Sequence, residues 1–201
     1  MKLTIAVITM NRAGQLKEAL ESCFRCELPD GTQFVIIDNA SSDNTDDVVK
    51  SLFGQNPFNY YYERLPENLG VGGGRNYAFG KSKGEYVYFL DDDAYIDLSV
   101  DNLFFKKAVE ILDTHSDIMS LTTQIYDNIL RRNRNTESKI IIDSDLYECF
   151  MMCGGSHFLR KSFFPEGNPF FANKYAFEEF LPSLKIAEER KKNAYCPSLN
   201  I

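Results

Sequence analysis

The sequence predicts an α/β protein, a mostly parallel central sheet with helices on both faces and a smaller mixed region in its second half. Short apolar runs alternate with segments of helical period through the first half of the chain. Each apolar run stops at a cluster of turn-forming polar residues, and the connections are long enough for the crossovers that parallel strands require.

Leu3 to Thr9 reads as a buried strand. From Gln15 to Phe24 the residues Leu16, Ala19, Leu20, Cys23 and Phe24 share one helical face, and Phe34 to Ile37 form a second apolar run. Asn39-Ala-Ser-Ser-Asp-Asn-Thr45 supplies turn formers and N-cap candidates ahead of a polar helix, Asp46 to Phe53, and Asn59 to Arg64 makes a third strand. A glycine-rich turn leads to a helix near Arg75 to Lys81, and Glu85 to Leu90 is a fourth strand running into Asp91-Asp92-Asp93.

The second half is less regular. A helix is expected from Ser99 to Asp113, with Phe104, Ala108, Ile111 and Leu112 on one face, followed by a strand from Ile118 to Ile125. Asp127 to Ser138, polar and carrying Arg131, Arg132 and Arg134, reads as an exposed loop. Ile140 to Ile142, Leu146 to Met152 and Ser156 to Arg160 are strand candidates, with Gly154-Gly155 a turn or a point of close backbone approach. Phe177 to Arg190 is broadly helical, with Pro182 starting a new helix or kinking this one. Ala194 to Ile201 is a strand with nothing after it, as in a C-terminally truncated chain or a minimal version of something longer. No repeat or linker divides the chain, so residues 1–201 are expected to form a single domain.

Composition narrows the partners. A net charge of −7 argues against broad attraction to nucleic acid or anionic lipid, so any phosphate must be held locally. No apolar run approaches the roughly 20 residues of a membrane span, and the N-terminus lacks a small-residue cleavage site, which points to the cytoplasm. The five cysteines are an odd number and are expected to be reduced. Cys23-x-x-Cys26 could ligate zinc, but Cys23 continues an apolar helix face and core packing is the better reading.

Asp91-Asp92-Asp93 follows an apolar strand directly. Carboxylates about 6 Å apart repel by roughly 3 kcal/mol at an effective dielectric near 20, so the run calls for a cation or for hydrogen-bond donors. Residues two apart in extended chain point the same way, so Asp91 and Asp93 can face one site while Asp92 turns aside. Their oxygens suit Mg2+ or Mn2+; a solvated acidic turn or a set of helix caps is the plain alternative. Glu67-Asn-Leu-Gly-Val-Gly-Gly-Gly-Arg-Asn76 has Arg75 where the dinucleotide fingerprint needs a third glycine, and no Gly-Lys-Ser/Thr follows as a P-loop would require. It offers bare backbone N–H groups at a helix start and a guanidinium just inside, a combination suited to a diphosphate, or simply a tight turn with a surface arginine. Thr9-Met-Asn-Arg12 and Asp38-Asn39 end the first two strands on the crevice side of the sheet, where they could bond a nucleoside or cap the next helix.

Taken together, Thr-Met-Asn-Arg, Asp-Asn-Ala-Ser-Ser-Asp-Asn-Thr, Glu-Asn-x-Gly-x-Gly-Gly-x-Arg-Asn and Gly-Glu-Tyr-x-x-Phe-Leu-Asp-Asp-Asp resemble glycosyltransferase family 2, inverting nucleotide-sugar enzymes of GT-A fold. The resemblance covers Leu3 to about Leu98 closely. Cys153-Gly-Gly-Ser-His-Phe-Leu-Arg160 is similar to the family's acceptor-side strand, and Phe177-Glu-Glu-Phe180 to its Glu-Asp helix start.

The resemblance implies a nucleotide-sugar-binding half, residues 1–98, and an acceptor-side half, residues 99–201. It assigns Thr9, Asn11, Arg12, Asp38 and Asn39 to the nucleoside, Gly72, Arg75, Asp91 and Asp92 to the donor more broadly, and Asp91 and Asp93 to Mg2+ or Mn2+. Glu179 stands where the family's base, usually Asp, is expected, with Glu178 before it. Pro182 follows soon after, a second departure from the pattern. The implied donor is a UDP- or dTDP-type sugar and the implied acceptor a glycan or glycolipid hydroxyl in cell-surface polysaccharide synthesis, with no nucleic acid partner. The cytoplasm, or a peripheral position at the inner face of the membrane, is the implied location. A non-catalytic nucleotide-sugar-binding module is the chief alternative. A sugar nucleotidyltransferase would need a Gly-rich loop after the first strand, where Thr9 to Gly14 has one glycine.

Overall fold

The computed structural model describes residues 1–134, 140–172 and 177–201. The first half contains β1 (Leu3–Thr9), α1 (Ala13–Phe24), β2 (Gln33–Asp38), α2 (Thr45–Gln55), β3 (Asn59–Arg64), α3 (Gly70–Lys81) and β4 (Tyr86–Asp91). The second contains α4 (Phe104–Thr114), β5 (Ile118–Asp127), β6 (Arg132–Arg134), β7 (Ile140–Asp143), β8 (Leu146–Cys149), β9 (Ser156–Arg160), α5 (Phe180–Glu188) and β10 (Lys192–Asn200).

One sheet runs through the molecule in the order β3-β2-β1-β4-β9-β5-β10-β8-β7, with β6 paired to β5 off this path. The pairings set β9 and β8 against the direction shared by the other strands of the path. Parallel register places Thr9 opposite Asp38 and Ile8 opposite Asp91, so the polar residues ending β1, β2 and β4 meet at one edge of the sheet. In an open α/β sheet that carboxyl edge is where a ligand crevice forms.

Side-chain alternation along the strands separates two cores. Leu3, Ile5 and Val7 pack with Phe34, Tyr88 and the apolar faces of α1, α2 and α4. Ala6, Val35, Val87 and Phe89 pack on the other face with Ala78 and Phe79 of α3 and Ile186 of α5. Helices therefore cover both faces, as expected. Cys23 and Cys26 lie in the first core, where burial pushes the Cys26 thiol up to about 12 and the Cys23 thiol well above its ordinary value.

Several boundaries differ from the sequence reading. Helix α3 begins at Gly70, five residues before Arg75, because its glycines let the helix lie against neighbouring chain. A Cβ on Gly72 would stand 2.0 Å from the Phe171 carbonyl oxygen, and one on Gly74 2.8 Å from Ile8 Cγ2. Helix α4 begins at Phe104 rather than Ser99. Asp97 accepts the Ser99 N–H and Asp101 accepts the Leu103 N–H, and these local turns compete with helix.

The segment read as an exposed loop from Asp127 to Ser138 contains the short strand β6, antiparallel to the end of β5; residues 135–138 lie outside the described residues. Asp127 Oδ1 accepts the N–H groups of Ile129 and Leu130 and so closes a tight hairpin. Strand β8 stops at Cys149, short of Met152. Pro182 falls in the first turn of α5, where its missing N–H has no helical partner to lose. The last strand, β10, lies inside the sheet between β5 and β8.

Candidate active site

The loops after β1 and β2 are built as one unit. Asn11, with φ at 54°, donates its N–H to Ser41 Oγ (2.9 Å), and its Oδ1 accepts the Ser42 N–H at 2.7 Å. Asp43 accepts the Ala13 N–H (3.1 Å) and thus caps the start of α1. Asp38 is buried, taking the Ser41 N–H at 2.7 Å on one oxygen and the Tyr62 hydroxyl at 3.0 Å on the other. Burial, reinforced by that carboxylate, raises the Tyr62 phenol above its ordinary value. Asn39 donates to the Gly70 carbonyl (3.0 Å) and accepts the Leu69 N–H (3.2 Å).

At the start of α3, Asn68 accepts the Gly70 N–H at 2.7 Å. The Leu69 and Gly70 N–H groups are therefore taken by asparagine side chains, so of the N–H groups at the helix start these two are not bare. Gly72 is close-packed against Phe171.

Arg75 is the centre of the arrangement. Its side chain is 3 % exposed, and Nη1 donates to Glu178 Oε1 and Glu179 Oε1, both at 2.7 Å. Its Nη2 donates to Asp91 Oδ1 (2.9 Å) and to the Gly154 carbonyl (2.7 Å), while the guanidinium lies over the Phe170 ring. The alternative of a surface arginine on a tight turn is thus excluded: the planar fork joins β4 of the first half to the Glu178-Glu179 pair before α5. Gly154 permits this, since a Cβ there would stand 1.8 Å from Glu179 Oε1. The close backbone approach read from Gly154-Gly155 is present at this point.

Asp91 and Asp93 both line a cleft of about 880 Å3, walled by the loop after β4 and by the β5–β6 hairpin. Asp92 does not line it; its carboxylate is buried beside Arg12, whose Nη1 bridges Asp92 Oδ1 (3.0 Å) and Asp93 Oδ2 (2.8 Å). Burial raises the Asp92 carboxyl, and the Thr9 hydroxyl and Arg12 oppose that rise. Thr9 is itself buried at the end of β1.

The acidic pair splits electrostatically. Burial raises Glu178, whose Oε2 is buried without a hydrogen-bond partner among the described residues. Burial also acts to raise Glu179, but the Arg75 charge and hydrogen bond outweigh it and hold that carboxyl below its ordinary value. His157 of β9 is buried against Phe89 and Phe170, with Nδ1 2.9 Å from the Cys153 carbonyl oxygen. Burial, then the Arg75 charge, lowers it to about 3.

Unfolding exposes that imidazole with an ordinary value near 6.5, so between about 6.5 and 3 the unfolded chain binds the extra proton. Stability is then lost as pH falls through this window, by about 1.4 kcal/mol per pH unit from this group. His157→Gln is expected to flatten the pH dependence of the unfolding free energy between pH 6.5 and 5, measured by urea titration. An unchanged slope would show that His157 is protonated in the folded protein.

A divalent cation can be tested against these residues. Arg75 takes Asp91 Oδ1 and Arg12 takes Asp93 Oδ2, which leaves the second oxygen of each carboxylate without a contact from these guanidiniums. Among the described residues no three or more His, Cys, Asp or Glu side chains form a metal-binding group. A Mg2+ or Mn2+ ion here would have to use those second oxygens of Asp91 and Asp93 and draw its remaining ligands from other groups. The sequence reading missed Asp43, Asn68 and Tyr62 as supports. The Asn68-x-Gly70 spacing carried a local signal for one of them, whereas Tyr62 reaches Asp38 from a neighbouring strand and left none.

The model of the family described as Glycosyl transferase family 2 matches residues 4–167. Poly(ribitol-phosphate) beta-N-acetylglucosaminyltransferase TarS of Staphylococcus aureus is 32 % identical over 123 residues, 59 % of this chain and 20 % of that protein. A GalNAc(5)-diNAcBac-PP-undecaprenol beta-1,3-glucosyltransferase of Campylobacter jejuni is 33 % identical over 92 residues, 46 % of this chain and 29 % of that one. The chain thus spans less than a third of the length of these curated relatives. The structure of S. aureus TarS residues 1–349 with UDP-GlcNAc superposes with a TM-score of 0.76 at 21 % identity, covering 98 % of this chain and 56 % of that one. GalNAc-T7 with UDP, GalNAc and Mn2+ gives 0.80 at 14 % identity, covering 100 % and 43 %. Both likenesses are of fold.

Proposed function

Since the chain belongs to glycosyl transferase family 2, we propose that it is a metal-dependent, inverting transferase. It moves a sugar from a UDP- or dTDP-type donor to a hydroxyl of a glycan or glycolipid acceptor in cell-surface polysaccharide synthesis. The observation that carries this reading is the Arg75 junction, which holds Asp91 of the donor half and the Glu178-Glu179 pair of the acceptor half on one guanidinium.

Thr9, Asn11, Arg12, Asp38 and Asn39 form the nucleoside end of the site, with Asp92 fixing Arg12. Asp91 and Asp93 would hold Mg2+ or Mn2+, which supplies charge neutralisation at the leaving diphosphate. The close packing of Gly74 on Ile8 and Asn39 keeps the start of α3 against the ends of β1 and β2, on the side proposed for the donor, while Gly72 packs on Phe171. Glu179 is the base: Arg75 keeps it ionised and oriented, and it accepts the proton of the acceptor hydroxyl. Glu178, buried and raised, is a positioning residue that shares Arg75 Nη1 with Glu179 and helps to fix the guanidinium. A single displacement that inverts the anomeric carbon requires the acceptor, activated by Glu179, to attack on the face of the sugar opposite the leaving diphosphate.

Supporting the acceptor class, curated relatives in the family carry poly(ribitol-phosphate) and undecaprenol-linked acceptors in their names. No helix among the described residues is long and apolar enough to cross a membrane. Incubation with UDP- and dTDP-sugars and Mn2+ in the absence of acceptor tests the reading. Slow release of free sugar and nucleoside diphosphate is expected. Binding of donor with no turnover, in the presence of candidate acceptors as well, would favour the non-catalytic module.

A further inference from the structure

The turn between β5 and β6 presents its largest apolar side chains to water. Ile129 is 93 % exposed and Leu130 54 %, at a position where a small polar residue would serve the turn equally well. The turn is nevertheless well fixed. Asp127 accepts the N–H groups of Ile129 (3.0 Å) and Leu130 (2.9 Å), and Arg134 donates to the other oxygen of Asp127 through Nε at 3.0 Å. Asn128 donates to the Tyr95 hydroxyl (3.3 Å) and ties the turn to the loop after β4. With Asp127 neutralised by Arg134, the neighbouring Arg131 and Arg132 are exposed and, among the described residues, enter no ion pair.

We propose that this turn is a membrane-contact element that seats the mouth of the cleft on an anionic lipid surface. The two aliphatic side chains would enter the interface, and the two guanidiniums would lie at the level of the lipid phosphates. A soluble polyanion would account for the arginines and leave Ile129 and Leu130 without a purpose, whereas a bilayer interface takes both. Position supports the same occupant. Ile129 lines the cleft with Asp91 and Asp93, so a contact made by the turn lies at the edge of the cleft. The net charge of −7 excludes broad attraction. At physiological salt, however, charges more than about 8 Å away are largely screened, so the local charge of the turn decides. The inference does not depend on the transferase reading, because lipid contact is measured without donor or acceptor.

The test is co-sedimentation of the 201-residue chain with vesicles of phosphatidylglycerol and phosphatidylcholine against vesicles of phosphatidylcholine alone. Preferential binding to the anionic vesicles is expected. Arg131→Gln with Arg132→Gln should lower the partition constant on the order of 30-fold, and Ile129→Asn with Leu130→Asn by about tenfold or more. A polarity-sensitive fluorophore on Ile129→Cys should shift to the blue on adding anionic vesicles, which tests insertion without removing the charges. Equal binding to both vesicles, or none, would overturn the proposal. So would binding that survives loss of the apolar pair and is displaced by polyphosphate, since that marks a polyanion site. Dimerisation abolished by the Ile129/Leu130 double variant would assign the turn to self-association instead.

Discussion

Arg75→Met is expected to lower the unfolding free energy by about 3–5 kcal/mol, because it leaves a buried Glu178 carboxylate without its compensating charge. At this chain length that is a fall in Tm of roughly 10 °C. The side chain is almost wholly buried and its two terminal nitrogens serve Asp91, Glu178, Glu179 and the Gly154 carbonyl. Arg75→Lys keeps the charge and loses the fork, so it should recover part of the stability while still weakening nucleoside diphosphate binding through a misplaced Asp91. Thermal melts and calorimetry of the two variants separate these effects. If Arg75→Lys matches the parent in both, the planar fork is not what organises the site.

Glu179→Gln carries the second large effect. Donor binding should be retained if, as proposed, residues of the first half of the chain hold nucleotide and metal. Transfer, or donor hydrolysis as its surrogate, should fall on the order of 100-fold or more through loss of proton abstraction. Glu178→Gln should cost less in rate and can stabilise the fold, since burial already disfavours its charge. Greater sensitivity at Glu178 would place the base one residue earlier; no effect at either would locate the base elsewhere.

The sequence made the first half legible because periodicity there is dictated by burial. Leu3–Thr9 has the boundaries that its buried apolar residues mark, whereas Asn59–Arg64, exposed or half-buried, is marked by its β-prone tyrosines instead. Boundaries failed where side chains compete with the backbone, as Asp97 and Asp101 do ahead of α4, or where glycines pack into a helix for tertiary reasons, as Gly72 and Gly74 do in α3. The candidate site residues were visible as types at strand ends, but their partners were not. Nothing local in the sequence joins Arg75 to Glu178 and Glu179, more than a hundred residues away, and the junction forms only when the folded sheet sets β9, which follows Gly154, beside β4.

The central claim, that the carboxyl edge of this sheet binds a nucleoside diphosphate through a cation on Asp91 and Asp93, is tested most directly by calorimetric titration with UDP and dTDP. The titration is run in Mn2+ and in chelator, on the parent chain, Asp93→Ala and Asp92→Ala. Binding is expected to require Mn2+, to be abolished by Asp93→Ala and to be reduced less by Asp92→Ala, whose carboxylate lies outside the cleft. Binding unaffected by chelator, or equal losses in the two variants, would contradict it.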